Sequence, residues 1–423
     1  MREMKDSGIE WIGEIPKEWE VSVIKKEYVF QTGATPKTEI ESFFCGDNVW
    51  INISDMKSRV LYDSTKHISD DAISSTSMSI SPKGSLLYAF KLSVGAVAFC
   101  GKDLYTNEAI ATFLPCKNSL RYLYYIAPIF IIMNANENIY GAKLLNQQLI
   151  KNARILLPPL PTQHRIADYL DDKCGKIDRY IEQQKQVIKK LKAYKQSVIT
   201  EAVTKGFDPT VPMKDSGVEW IGEIPEGWEI TTISRVATVV RGASPRPAGD
   251  PKYFNGNDVP WITVAEVTKN EGKYIYSTES YLTKEGSLHS RFIEAGTLLL
   301  SNSGATLGVP KVTAISGCIN DGSVAFYDLK VEQFYLFYVF KARTFELRKQ
   351  MQGYGQPNLN TSIIKTIEIP LPSANEQSCI VNFLDKKCSS IDSTIEKKQA
   401  LIDKLTEYKK SLIYEVVTGK KEV

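Results

Sequence analysis

Histidine is scarce in this chain. There are three in 423 residues (His67, His164, His289), far apart in sequence, so a zinc site or a histidine-based catalytic centre has few residues to draw on. Cysteine is sparse and unpaired in pattern. The seven, at 45, 100, 116, 174, 318, 379 and 388, are odd in number and nowhere spaced as CxxC. That excludes a disulfide framework and predicts a reducing, cytoplasmic setting with cysteines as small buried hydrophobes. Long apolar runs are missing too. The most apolar stretch, Tyr122–Met133, is interrupted by Pro128 and falls short of the roughly 20 residues a bilayer needs. It predicts a buried helix. The opening MREMKDSG has no apolar core, which predicts no secretory leader. Charge of one sign is also lacking: 52 Lys and Arg against 49 Asp and Glu leave +3. Such a balance neither announces nor excludes a nucleic-acid binder, because a basic face can be offset elsewhere.

Chemical motifs are absent as well. No G-x-x-x-x-G-K-[ST] occurs, and the nearest string, Gly95–Asp103, has five residues between its glycines and Asp after Lys. No G-x-G-x-x-G follows a strand, and the [DN]-P-P-[YF] motif of amino-methyltransferases is missing. Asp171-Asp172-Lys173 and Asp385-Lys386-Lys387 superficially resemble a nuclease element, but among so many helical charges they read as a solvated helix face. No His/Cys cluster has metal-ligand spacing. The chain reads as a non-catalytic reader or adaptor, with no metal and no cofactor of its own.

A tandem repeat is present. Met4–Glu20 (MKDSGIEWIGEIPKEWE) returns at Met213–Glu229 with three differences in 17 positions, at an offset of 209. Leu157–Gln163 and, one residue on, RIADYLDDKCGKID return as Leu371–Gln377 and, one residue on, CIVNFLDKKCSSID, at an offset of 214 between Cys174 and Cys388. Between these ends the sequences diverge but keep landmarks. Gly33-Ala-Thr-Pro36 becomes Gly242-Ala-Ser-Pro245, Trp50-Ile51 becomes Trp261-Ile262, and Tyr140-Gly141 with Asn146 becomes Tyr354-Gly355 with Asn360. Drift alone would blur the ends as well as the middles. Near-identical ends around dissimilar middles suggest one recognition module used twice, with two targets.

The middles have short β-branched and aromatic runs, such as Val94–Phe99 and Val309–Ile315, which predict strands with turns. Helices are predicted at Leu120–Asn134 and Glu332–Met351. After each LP-rich segment the pattern becomes one long helix, to about Thr204 and about Thr418, with Thr162 or Ser373 able to serve as N-cap. Apolar residues recur at Ile177, Ile181, Ile188, Leu191 and Val198, and at Ile391, Ile395, Ile402, Leu405 and Leu412, a heptad pattern. Its polar interruptions coincide: Gln184 with Lys398, and Lys195 with Lys409. Neither helix can bury its stripe alone, so the two are expected to pack antiparallel. Trp11 and Trp220 of the repeated Glu-Trp-Ile-Gly are expected either to pack against this pair or to form a docking surface, packing being favoured.

Taken together, MKDSGxEWIGEIPxxW opening each half, the GATP or GASP loop, the KGSLL or GTLLL strand entry and LPxLPxQ running into a long helix resemble the specificity subunit of type I restriction-modification systems, over essentially the whole chain. The resemblance implies an α+β architecture. Two mixed α/β target recognition domains (1–158 and 208–371) would be separated by two long antiparallel helices (159–207 and 372–423) that form a coiled-coil rod with pseudo-two-fold symmetry. Each domain would read one half of a bipartite, asymmetric site in double-stranded DNA. The rod would set the spacer and dock modification (methyltransferase) subunits, two of them, and help recruit ATP-dependent restriction subunits. S-adenosylmethionine, ATP and Mg would then belong to those partners. No membrane association is expected.

Bases are read mainly by Arg, Lys, Asn and Gln at groove edges, while phosphate contacts fix docking. The candidates beside the shared landmarks are Thr35, Lys37, Lys91, Ser93, Lys143 and Asn146 in the first module. In the second they are Ser244, Arg246, Asn302, Ser303, Gln356 and Asn358. Arg246 and Lys91 lead, because they add charge to otherwise neutral loops. The plain alternative for each is an ordinary turn residue. For the whole chain, the alternative is a non-catalytic scaffold with two protein-binding modules on a rod.

Overall fold

The computed structural model describes every residue except 1, 138–140, 142, 304–306 and 351–358. The chain divides into two compact units, residues 1–184 with 400–423 and residues 185–399. This division does not follow the repeat boundary. Each unit takes its globular part from one repeat and helical segments from both.

In unit 1 the centre is a five-stranded sheet in the order Phe30–Thr32, Ile110–Phe113, Leu86–Ala89, Val97–Cys100, Val60–Leu61. Two of its middle strands, Leu86–Ala89 and Ile110–Phe113, are buried on both faces, which explains their largely apolar sequences LLYA and IATF. A three-stranded sheet (Tyr105–Thr106, Asn48–Ile51, His67–Ile68) lies beside it in the fold. The helix Leu120–Phe130 buries Tyr122, Leu123, Tyr125, Ile126, Ala127 and Phe130. A 3-10 turn at Ile132–Asn134 then continues the predicted helical segment.

Unit 2 repeats the plan with almost none of the same residues. Its five-stranded sheet runs Thr238–Arg241, Ser323–Tyr327, Leu298–Ser301, Pro310–Thr313, Tyr274–Ile275. In both sheets the last strand pairs parallel and the other pairings are antiparallel. The five-stranded sheets of the divergent middles therefore share one topology, while the second sheet has three strands in unit 1 and four in unit 2. The domain helix of unit 2 is Gln333–Gln350. Each repeat also forms a hairpin from its MKD and EIP segments, and pairs the strand after the hairpin with the one before the long helix, Glu20–Val23 with Arg154–Leu157 and Glu229–Thr232 with Glu368–Leu371.

The long helices span Leu160–Lys205 and Ala374–Val417. Ser373 caps the second with a reciprocal pair: its Oγ accepts from Glu376 N (3.4 Å) and Glu376 Oε2 accepts from Ser373 N (2.9 Å). Thr162 is not the matching cap. The first helix starts two residues earlier, where the Pro159 carbonyl accepts from Thr162 N and Gln163 N and Pro161 needs no amide partner in the first turn. Both helices run out into a left-handed glycine, Gly206 and Gly419, each at φ +72°.

The stripe residues Val198, Ile391, Ile402 and Leu412 are buried, and Ile177, Ile181, Ile188, Leu191, Ile395 and Leu405 are half-buried. In unit 1, Ile166, Leu170 and Cys174 share a core with Leu412, Val416 and Val417; in unit 2, Ile380, Leu384 and Cys388 share one with Val198, Ala202 and Val203. The lysine interruptions are ion pairs across the helices. Lys409 meets Asp178 in unit 1 and Lys195 meets Asp392 in unit 2, each at 2.6 Å. Asp178 and Asp392 are repeat equivalents, so one pair is made twice with the repeats exchanged. Among the cysteines the expectation of burial fails for three. Cys45, Cys116 and Cys379 are exposed, and only Cys100, Cys174, Cys318 and Cys388 are buried.

Candidate nucleic-acid interface

Four strand ends of each five-stranded sheet lie at one edge, because the pairings there are antiparallel. In unit 1 these are the end of Phe30–Thr32, the start of Ile110–Phe113, the end of Leu86–Ala89 and the start of Val97–Cys100. The GATP loop leaves from the first of them. A Cβ on Gly33 would lie 1.7 Å from the Thr106 carbonyl oxygen, so only glycine lets the loop descend onto that strand. Ala34 N donates to Thr106 O (3.0 Å) and Trp50 Nε1 donates to Ala34 O (3.0 Å), which pins the loop. Unit 2 builds the same turn. A Cβ on Gly242 would meet Asn320 O at 2.1 Å, and Ala243 N donates to Ile319 O (3.1 Å).

The residue after each pinned Gly-Ala carries a hydroxyl. Thr35 donates to Glu108 and Ser244 Oγ donates to Asp321 Oδ1 (2.6 Å). Glu108 and Asp321 were not anticipated as part of these loops, and they correct the expectation of neutrality. Arg246 lies 3.5 Å from Asp321. Burial works to raise the Glu108 pKa, but the Thr35 hydrogen bond and the nearby Lys91 charge hold it below the usual carboxylate range. Lys91 and Ser93 are exposed on the hairpin tip between Leu86–Ala89 and Val97–Cys100, beside Leu92, which is 85% exposed. Thr35 and Lys37 are exposed as well.

Topology therefore gathers Thr35, Lys37, Lys91 and Ser93 at one sheet end, and Ser244, Arg246 and Ser303 at the matching end of unit 2. Other candidates have local roles. Lys143 pairs with Glu137 across a short hairpin. Asn146 caps the helix Gln147–Lys151 by accepting from Leu149 N (2.8 Å), and Asn360 caps Thr361–Thr366 from Ile363 N in the same way (2.8 Å). The shared landmark is thus a helix cap. Gln147, unanticipated, reaches Thr32 Oγ1 (3.1 Å) and holds this turn beside the sheet end. Asn302 is corrected. It is fully buried, with neither amide atom of its side chain partnered, and it occupies the place of Phe90 in unit 1, each donating its N–H to the start of the neighbouring strand. It lies beneath the surface and offers no base-reading group. Gln356 and Asn358 lie outside the described residues.

The tryptophans of the repeated ends hold each domain to the end of the other repeat's long helix. Trp11 is half-buried, packs on Phe130 and Tyr414, and its carbonyl accepts from Tyr414 OH (2.9 Å). Trp220 packs on the unit 2 core under the Arg343 guanidinium. The deeper anchors are Trp19 and Trp228, at 1% and 2% exposure, which cover the glycine helix ends. They stand in the same repeated motif, and the repeat was the signal for them. Gln163 and Gln377 are equally buried and bridge alike: each accepts from the N-terminal part of its domain helix and donates to the proline carbonyl five residues back. Asp171 and Asp385, expected on a solvated face, instead accept from Tyr125 and Tyr338. Among the described residues no group of His, Cys, Asp or Glu could hold a metal ion, and no helix is long and apolar enough to cross a membrane.

Two copies of one sheet-end platform, with different side chains on a shared loop scaffold, define a two-module reader. The comparisons identify its kind. The chain matches the type I restriction modification DNA specificity domain over residues 16–193 and 225–406, and it belongs to that family. It is 28% identical over 269 residues to the type I restriction enzyme MjaIX specificity subunit of Methanocaldococcus jannaschii, covering 61% of this chain and 60% of that one. A second specificity subunit of that organism, MjaVIII, is covered to 59%. The chain thus spans about three fifths of the length of these relatives. The putative MjaX specificity subunit of the same organism is 27% identical over 406 residues, 91% of this chain and 89% of that one. In fold, the chain resembles a component of a type I R-M system solved for its assembly and conformational transition (TM-score 0.74, 16% identity, 96% of this chain and 99% of that one). It also resembles the HsdS subunit from Thermoanaerobacter tengcongensis (TM-score 0.51, 16% identity, 96% and 98%).

Proposed function

We propose that this chain is the DNA sequence-recognition subunit of a type I restriction-modification complex. Each recognition domain reads one half of a bipartite, asymmetric site, and the long helices set the spacer and dock two modification subunits. The observation that carries this reading is the duplicated sheet end, where the same pinned Gly-Ala turn presents Thr35 and Lys37 in one domain and Ser244 and Arg246 in the other, beside a second loop carrying Lys91 and Ser93 or Ser303. Exposed Lys and Arg in Gly-rich turns suit phosphate positioning, and small hydroxyls suit close approach to base edges. The chain itself is non-catalytic. S-adenosylmethionine serves the modification partners, and ATP and Mg serve a restriction partner, in the cytoplasm. A net charge of +3 fits a reader whose partners enclose the duplex and supply much of the phosphate affinity.

Sequencing the methylome of a host with and without this chain tests the reading. Loss of a split adenine-methylation motif is expected. An unchanged methylome, in a host whose modification subunit is expressed, overturns it.

A further inference from the structure

One further construction recurs in the two divergent domains, on partly different side chains. Arg59 stands immediately before the edge strand of the unit 1 sheet, and Lys273 immediately before the matching edge strand of unit 2. Each cation enters a box of aromatic rings. The Arg59 guanidinium is 4.8 Å from the Tyr124 ring and 5.9 Å from that of Tyr125. The Lys273 ammonium is 4.8 Å from Tyr338 and 4.9 Å from Phe334. Each then pairs with a carboxylate on the long helix of its own repeat, Arg59 with Asp171 and Lys273 with Asp385. Onto each carboxylate the domain-helix tyrosine also donates, at 2.6 Å in both units.

The chemistry differs while the place is kept. Unit 1 adds Arg121, whose Nε donates to Asp171 at 3.1 Å. Its equivalent in unit 2 is Phe334, which becomes part of the aromatic box. A site that keeps its aspartate and tyrosine while exchanging its cation and its aromatic neighbour, at the same three-way junction of sheet edge, domain helix and long helix, serves geometry. Packing alone would need no carboxylate there, since an aliphatic residue would fill the same position.

We propose that Asp171 with Arg59, and Asp385 with Lys273, are latches that fix the attitude of each recognition sheet on its long helix and so determine where along the DNA its half-site is met. They are positioning residues and do not select bases. This rests on the DNA-recognition reading above. An Arg and a Lys over tyrosine faces, each also paired to a carboxylate, resist rotation in two directions at once. The sheet edge therefore cannot slide along the helix without losing both.

The test uses the full chain in complex with its modification subunits, selecting from a random duplex library and sequencing what is bound. The native complex is expected to select two half-sites at a fixed separation. Asp171→Asn and Asp385→Asn are each expected to keep both half-site sequences while accepting neighbouring separations that the native complex rejects. Arg59→Lys, which copies the unit 2 chemistry, is expected to retain the fixed separation. Should Asp171→Asn fail to fold, Tyr125→Phe removes one bond to the same carboxylate and is read in the same selection. Asp171→Asn, Asp385→Asn or Tyr125→Phe complexes that hold the native separation, an Arg59→Lys complex that loses it, or any variant that changes the bases within a half-site, overturn the latch alone. A native complex that selects no sequence overturns the recognition reading and the latch with it.

Discussion

Single residues show how far two copies of one design can part. Trp228 Nε1 donates to Glu376 Oε1 at 3.0 Å, whereas the equivalent Trp19 Nε1 is buried without a partner. The reason is one substitution, since the residue equivalent to Glu376 is Thr162. An unmade hydrogen bond on a buried donor is costly, and making one gains about 1 kcal/mol net. Thr162→Glu should therefore raise the stability of unit 1 by about that amount, helped by the favourable site for a carboxylate in a first helical turn. Thermal unfolding would show it as a higher Tm, and a lower one would mean that the glutamate cannot reach the indole. The glycines of the GATP and GASP loops were legible as landmarks. Their reason was not, because a carbonyl from a strand more than 70 residues away fills the space a Cβ would take.

At the scale of elements, the long helices were the most legible part of the chain, because a heptad stripe with no proline after the first turn has few other solutions. The interruptions at Lys195 and Lys409 were also visible, but their partners were not. Asp178 and Asp392 lie off the apolar stripe, and only the antiparallel register brings each to the lysine of the other repeat. Lys195 is 12% exposed in its side chain and Asp392 46%. The half-exposed aspartate weakens the pair, yet leaving the lysine alone in that place is unfavourable. Lys195→Met and Asp392→Asn in a double-mutant cycle should give a coupling at the low end of about 0.5–3 kcal/mol, measured by denaturant unfolding. A coupling of zero would show that register rests on the apolar stripe alone. The recognition sheets were legible only as strand-rich patterning. Pairing order depends on contacts across tens of residues, and no local periodicity encodes it. The candidate site was half legible for a related reason: landmarks marked the loops, but exposure had to be read from the fold. Asn302 and Ser303 are neighbours in sequence, yet one is wholly buried and the other partly open.

The whole chain is two repeats but not two repeat-shaped bodies. Unit 1 needs residues 400–423, from which Leu412, Val416 and Val417 enter its core at 2%, 0% and 0% exposure. Burying each such side chain contributes about 1.5–3 kcal/mol, and a domain's total stability is only about 5–15 kcal/mol. A chain ending at Gln399 should therefore lose unit 1 while keeping unit 2, whose residues are all present. Hydrogen exchange would read this as lost protection over residues 1–184 with retained protection over 213–371. Equal protection in both would show that the helix end is dispensable.

The same division gives the molecule an order of birth. During synthesis, unit 2 has all its residues once Gln399 has emerged, whereas the first domain made must wait for the last helix turns. At about 5–20 residues per second that wait, from residue 184 to residue 423, lasts about 12–48 s. For that interval unit 1 carries an open apolar seam, and of the two units the one begun first is completed last.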